Sequence, residues 1–182
     1  MLILLFAIRA LKKLNLSNNA LLTAEIGKIL ADMLKDNVTL KELDVSHNKW
    51  LDGDLWHGDG PGFAKEFAVG VSANEALVKV NISNNRLFYA DGAPAGKALS
   101  DMLAMNSTLT KLDVSGNEVY GSTTCGPAFA KALAVGLSIN RTLTSLNIRS
   151  NNLAGWNGKY RSEARYDMSG VIALAAAVPE NE

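Results

Sequence analysis

Along this chain, short runs in which apolar and polar residues alternate give way to longer stretches in which apolar residues recur every three or four positions. The short runs share one arrangement, Leu-x-x-Leu-x-Leu-x-x-Asn-x-Leu. Copies open at Leu11 (LKKLNLSNNAL), Leu40 (LKELDVSHNKW), Leu77 (LVKVNISNNRL), Leu109 (LTKLDVSGNEV) and Leu143 (LTSLNIRSNNL). Alternation marks a strand with one buried face. Leu14, Leu43, Val80, Leu112 and Leu146 are therefore expected to stack in one apolar column, and Leu16, Val45, Ile82, Val114 and Ile148 in the next. The longer stretches carry the helical period. Ile26, Ile29, Leu30, Met33 and Leu34 share a face in the first unit, as do Ala95, Ala98, Leu99, Met102 and Leu103 in the third and Phe129, Ala132, Leu133, Gly136 and Leu137 in the fourth. In the second unit Glu66 takes the station of Ile29, Ala98 and Ala132, which predicts a shifted helix with Glu66 at its edge. Strand and helix repeated in tandem make a solenoid, each unit burying its apolar face on its neighbours.

Five in-phase copies of this motif resemble the leucine-rich repeat family. Helices of this length in units of 29 residues or more resemble its ribonuclease-inhibitor-like subfamily. The resemblance implies an α/β fold, a horseshoe arc of five strand-helix repeats with a parallel sheet on the concave side. The repeats run 11–39, 40–76, 77–108, 109–142 and 143–182 within a single domain, and residues 1–10 read as a remnant of a preceding repeat or an N-terminal cap. In the family the asparagine closing each motif turns inward and bonds the backbone of the neighbouring turn. Here those are Asn19, Asn48, Asn85, Asn117 and Asn151, and their role is structural, since leaving such a group buried and unpaired costs about 1–3 kcal/mol.

Composition narrows the function classes. Eighteen basic and eighteen acidic residues balance, so no global field points to nucleic acid or an anionic membrane. The opening MLILLFAIRA is apolar over too few residues to span a bilayer, and it lacks the charged start and cleavage motif of a signal peptide. The single cysteine, Cys125, has no internal partner, and the Cys-rich end caps that secreted leucine-rich repeat proteins resemble one another in carrying are missing. The expected setting is intracellular, in the cytoplasm. Asn-x-Ser/Thr triplets such as Asn37-Val-Thr39 arise from the repeat and are discounted as glycosylation acceptors. Ala175–Val178 offers little of the polar capping a solenoid end needs. The expectation is a subunit, or a piece of a longer array, whose ends are covered in an assembly.

The units differ in one place. Their extra residues all fall between the Asn-x-Leu turn and the helix, as loops at 50–61, 88–94, 120–127 and 154–168 that stacking lines up along one rim. All three tryptophans and all four tyrosines lie in these loops or at their edge. Trp50 occupies the Leu21/Leu87 position and belongs to the core. Trp56, Tyr89, Tyr120, Trp156, Tyr160 and Tyr166 are the candidate partner anchors, because such rings bury much area with few rotors; packing of the loops onto the rim is the competing explanation. Charge divides along the rim, with Asp52, Asp54 and Asp59 in the second loop, beside His57, and Lys159, Arg161 and Arg165 in the fifth. Opposite signs orient a partner more than they tighten it. The strand rows stay close to consensus, with a basic row Lys13, Lys79, Lys111 broken by Glu42. His47 and Arg149 are the residues there that depart from it.

Catalytic and metal chemistry finds no support. Asp52-Gly-Asp54 suggests a calcium loop, but Trp56 and Phe63 stand where oxygen ligands are required. Cys125, at an expected helix start where a thiol can be acidified, has no His or Asn at a pairing distance in the sequence. No phosphate-cradling glycine loop or zinc spacing appears. No catalytic residue, metal or cofactor is predicted. The expected function is a non-catalytic interaction module or scaffold subunit binding another protein through the aromatic rim, the concave sheet, or both. Two alternatives stand beside it. One is a GTPase regulator resembling the Ran GTPase-activating proteins, with Arg149, Arg161 or Arg165 toward the nucleotide. The other is a purely structural subunit of a larger complex.

Overall fold

A computed structural model describes residues 10–52, 55–88, 92–117, 124–155 and 166–178, with the backbone alone at 50–52 and 55–57. In chain order the elements are β1 (Lys13–Asn15), α1 (Ala24–Lys35), β2 (Glu42–Asp44), β3 (Trp50–Asp52), β4 (Leu55–His57), α2 (Gly60–Ala73), β5 (Lys79–Asn81), α3 (Gly92–Met105), β6 (Lys111–Asp113), α4 (Cys125–Ile139), β7 (Ser145–Asn147) and α5 (Ser169–Ala177). Five strands form one parallel sheet in the order β1-β2-β5-β6-β7. Its register sets Leu14 beside Leu43, then Val80, Leu112 and Leu146, which is the predicted column. Leu43, Val80 and Leu112 are buried with Val45, Ile82 and Val114 behind them, whereas Leu14 and Leu146 at the two ends are half-buried. The helices close the other side of this core with Leu30, Leu34, Phe63, Phe67, Leu99, Leu103, Phe129 and Leu133. The Phe63 and Phe67 rings stack at 5.4 Å and those of Phe88 and Phe129 at 3.9 Å. Each fully buried side chain of this size contributes about 1.5–3 kcal/mol.

Two asparagine ladders tie the repeats together. In the first, each Oδ1 accepts a backbone N–H from the preceding unit: Asn19 N–H donates to Asn48 at 2.7 Å, Asn48 to Asn85 at 2.7 Å, Asn85 to Asn117 at 2.7 Å and Asn117 to Asn151 at 2.8 Å. This is the predicted inward turn. The second ladder was not foreseen. At the helix C-termini the Asn74 amide donates to Leu34 O and Asn37 O, that of Asn106 to Val71 O and Asn74 O, and that of Asn140 to Leu103 O and Asn106 O. Each Oδ1 then accepts the two N–H groups that open the next unit, as Asn106 does from Thr108 and Leu109. The Asn-x-Ser/Thr triplets are thus helix stops bonded across the stack, which completes the carbonyl accounting a helix end requires.

Two sequence expectations change. Helix α2 is not shifted. A Cβ added at Gly27 would meet Phe63 O at 2.7 Å and Glu66 Cβ at 3.2 Å, and one at Gly96 would meet Phe129 O at 2.8 Å and Ala132 Cβ at 2.9 Å, so the α1/α2 and α3/α4 pairs share one geometry. The Ile29, Glu66, Ala98 and Ala132 station is a half-exposed edge in every helix, and there Glu66 packs its Cβ and keeps its carboxylate in water. Helices are brought together by small residues two positions earlier, with Gly27, Ala64, Gly96 and Ala130 all buried. The second loop, expected to run irregularly over 50–61, holds an antiparallel hairpin in which β3 pairs with β4, Trp50 opposite His57. Helix α2 then begins at Gly60, with the Asp59 carboxylate accepting the Gly62 N–H at 2.8 Å. Asp59 is a helix cap. Among the described residues no helix is long and apolar enough to cross a membrane.

Candidate protein-interaction surfaces

On the concave sheet, strand alternation sets three rows on one face, the first two half-buried to exposed and the third buried at Ser46, Ser83 and Ser115. The first crosses the strand starts as Lys13, Glu42, Lys79, Lys111 and Ser145. Glu42 stands between two lysines and accepts both, Lys79 Nζ at 3.0 Å and Lys13 Nζ at 3.2 Å. The Lys79 bond and then the Lys13 bond hold its carboxyl below the ordinary carboxylate value. The break seen in the basic row is therefore a bridge that spaces the lysines. The second row is Asn15, Asp44, Asn81, Asp113 and Asn147. The Asn81 amide donates to Asp44 at 3.2 Å and that of Asn147 to Asp113 at 2.8 Å, while each Oδ1 also accepts the N–H two residues on. The third row runs through Ser17, Ser46, Ser83 and Ser115 to Arg149, which is exposed at the end of the sheet.

Past this row the chain turns with positive φ at Asn18, His47, Asn84, Gly116 and Ser150 (58°, 56°, 57°, 65° and 57°). Gly suits that conformation, and Asn and His are among the residues that adopt it most readily after glycine. His47 is exposed, and its Nε2 lies 3.2 Å from the Asn84 amide nitrogen. Of the sequence-predicted concave residues, His47 follows β2 and Arg149 follows β7, with β5 and β6 between them, so the two do not form one cluster.

The rim is built from the roots of the insertions. All leave the stack just beyond the Asn ladder and return at a helix N-terminus: the β3–β4 hairpin before α2, the segments after Phe88 and Asn117 before α3 and α4, and the one after Gly155 before α5. At the last two roots Ala93, Thr124, Pro127, Ala128, Lys131, Ala132 and Asp167 line a hollow. Tyr166 and Met168 stand exposed next to it, and Lys131 Nζ lies 4.0 Å from Asp167. The Asp167 carboxyl is held low chiefly by the Ser169 hydroxyl and then by the Ser169 N–H, a turn that opens α5. Trp56 and His57 lie on β4, where the backbone alone is described. The side chain of Trp50, expected in the core, likewise lies outside the described residues, as do Tyr89, Tyr120, Trp156, Tyr160, Arg161, Arg165 and residues 1–9. Cys125 opens α4 as expected and is buried, which shields its thiol. Among the described residues no group of His, Cys, Asp and Glu could hold a metal ion.

Sequence reasoning named the row Lys13, Lys79, Lys111 but missed Lys12 and Lys41, which stand exposed just before β1 and β2. It also missed the hollow, whose small residues carry no signal of their own.

A family model described as Leucine Rich repeat matches residues 36–54, 106–119 and 140–155. No curated protein matches the sequence. Among solved structures, the leiomodin-1 actin-binding site 2 (ABS2) is similar with a TM-score of 0.61 and 22% identity, over 91% of this chain and 80% of its own. The tropomodulin C-terminal domain of Caenorhabditis elegans is similar with a TM-score of 0.62 and 12% identity, over 97% of this chain and 87% of its own. At these identities the likeness is one of fold. The matched segments, the five strands in repeat register and the inward asparagine ladder give the chain a leucine-rich-repeat fold.

Proposed function

We propose that the chain is a non-catalytic protein-interaction module that takes its partner on the rim where its insertions emerge. The observation that carries this reading is the convergence of all four insertion roots on one edge. There Tyr166 and Met168 remain exposed beside the hollow of Ala93, Pro127, Ala128 and Ala132. An exposed ring beside a small-residue hollow suits docking of an apolar side chain, with the Lys131–Asp167 pair as its polar border. Trp56, Tyr89, Tyr120, Trp156 and Tyr160 are the further anchors of this rim, and His57, Arg161 and Arg165 its orienting polar groups. The rim is a rigid platform, since the strands and helices beneath it are locked by two asparagine ladders.

Actin is the first partner to test, because the leiomodin-1 structure is an actin-binding site. The experiment is co-sedimentation with filamentous actin and a quantitative pull-down from the native source. It compares the wild type with a Trp56→Ala, Trp156→Ala, Tyr160→Ala, Tyr166→Ala variant confirmed folded by circular dichroism. Loss of a particular partner in the variant supports the rim. Unchanged binding of every partner overturns it and leaves the rings as loop anchors.

A further inference from the structure

The strand starts carry a second surface, independent of the rim. Lys13, Glu42, Lys79 and Lys111 are in register across β1, β2, β5 and β6, and Lys12 and Lys41 stand exposed immediately before β1 and β2. Five lysines and one carboxylate therefore line one edge of a sheet in a chain of zero net charge. Even while bridged to Glu42, the Lys13 and Lys79 side chains stay 73% and 45% exposed. Lys12, Lys41 and Lys111 have no ion-pair partner among the described residues. With neighbouring strands about 4.8 Å apart, Lys13 to Lys111 covers roughly 14 Å, the reach of about four or five extended residues.

We propose that this lysine strip docks an acidic, extended segment of a protein partner, laid across the strand starts. Like charges this closely spaced repel one another and are relieved by a run of carboxylates in the same spacing. The hollow over the sheet, lined by Lys13, Lys79 and Lys111 along the strand starts and by Glu42, Asp44 and Asp113 beside them, gives such a segment a seat on the lysine side. The second row decides the class of polyanion. Two residues along each strand, roughly 7 Å away, lie Asp44 and Asp113, fixed in place by the Asn81 and Asn147 amides. A nucleic-acid backbone broad enough to cover the strip would lie against those carboxylates. A peptide with carboxylates along one side and amide, hydroxyl or basic groups along the other would not.

The test uses the whole chain and fluorescence anisotropy with a labelled Glu/Ser peptide of about eight residues, its Gln/Ser counterpart, and a single-stranded oligonucleotide of matching charge. The Glu/Ser peptide is expected to bind at least about ten-fold more tightly than the Gln/Ser peptide. Raising salt from about 0.05 to 0.5 M should weaken it. Exposed ion pairs are individually weak, so Lys79→Gln with Lys111→Gln is expected to lose about four- to ten-fold. Lys12→Gln with Lys41→Gln, at exposed positions that leave the fold alone, should lose a similar factor. Lys97→Gln, whose partner Asp101 is on the helical side, should change nothing. Tyr166→Ala on the rim should also leave the peptide bound, so this surface and the rim are judged separately. Equal binding of the Gln/Ser peptide, no measurable binding of the Glu/Ser peptide, unchanged affinity in both lysine pairs, or tighter lysine-dependent binding of the oligonucleotide each overturns the proposal.

Discussion

Replacing Asn85 by Ala tests the physical account of the solenoid most directly. Asn85 is fully buried. Its Oδ1 accepts Asn48 N–H at 2.7 Å, and its amide donates to Val45 O at 2.8 Å and Ile82 O at 3.2 Å. The two carbonyls keep a second donor after the change, because the Asn48 amide also reaches Val45 O and that of Asn117 reaches Ile82 O. The Asn48 N–H does not: it is left buried without a partner. One orphaned donor costs about 1–3 kcal/mol and two lost bonds about 0.5–1.5 kcal/mol each, so the expected loss is about 2–6 kcal/mol. Domains of this size are stable by about 5–15 kcal/mol, so the variant should fold with a clearly lowered urea midpoint. The assay is urea unfolding followed by circular dichroism and by fluorescence, read as a change in free energy at unchanged m-value. Asn19→Ala is the internal control, since Asn19 is exposed at the end of the ladder and its side chain bonds only Ser17 O; it should cost less than about 1 kcal/mol. Asn85→Asp keeps an acceptor for Asn48 but turns a carboxylate on the Val45 and Ile82 carbonyls, and should cost at least as much as Ala. If Asn85→Ala falls within about 1 kcal/mol of Asn19→Ala, the ladder is decoration and the reasoning fails.

Other consequences are simpler to state. Gly136→Ala places a Cβ inside contact distance of the Ser100 backbone on α3; it should lower stability by about 1–3 kcal/mol from overpacking, against the gain of about 1 kcal/mol that alanine brings to an open helix, and thermal unfolding reads the sign. Asp59→Ala removes the bond to Gly62 N–H that starts α2 and should cost about 1 kcal/mol in urea unfolding. Asn106→Ala in the second ladder strips bonds from Thr108, Leu109, Val71 and Asn74 and should match Asn85→Ala in cost; a near-silent result would mean the helix ends are held by packing alone. Because its bonds to Lys79 and Lys13 depress the Glu42 pKa, the stability those bonds provide is fully present above the ordinary carboxylate value and is lost only as pH falls through the lowered one. A carbonyl-carbon NMR titration should show Glu42 protonating at lower pH in the folded chain than in urea, and Lys79→Gln should move it back up.

The strand columns and the first ladder were legible because they recur at identical stations, and a period is visible without any structure. What escaped was whatever lacks a hydrophobic or polar signature of its own. Gly27, Ala64, Gly96 and Ala130 bring the helices together by being small, so an apolar-face reading passed over them and inferred a shift at Glu66 that the packing does not contain. Asn106 and Asn140 resembled a modification motif, and the recurrence of Asn74, Asn106 and Asn140 three residues before each unit was the missed sign that they serve the stack. Asp59 was counted as loop charge because a cap is defined by the N–H it meets, which composition does not reveal. Of the residues put forward for binding, Tyr166, His47 and Arg149 are all exposed, but the first lies on the rim and the other two follow β2 and β7, with two strands between them. Spacing in the sequence told which unit each belonged to and not how far apart the units hold them.

The division of labour among the repeat positions bears on how this scaffold can change. Every buried polar group in the ladders is consumed by backbone: Asn48, Asn85, Asn117 and Asn151 by the turns, Asn74 and Asn106 by the helix ends. Positions with those duties have no freedom left for a partner, since each substitution strands a donor or acceptor. The positions that remain free are the first strand row and the rim, which touch different solvent faces and share no bonds. A charge altered at Lys79 is felt by Glu42, one at Lys111 breaks no ion pair among the described residues, and Tyr166 is exposed just before α5. Sites this far separated behave additively. The two surfaces can therefore be redesigned or lost one at a time without disturbing the stack, which is why a single fold can keep its core arrangement while its partners differ.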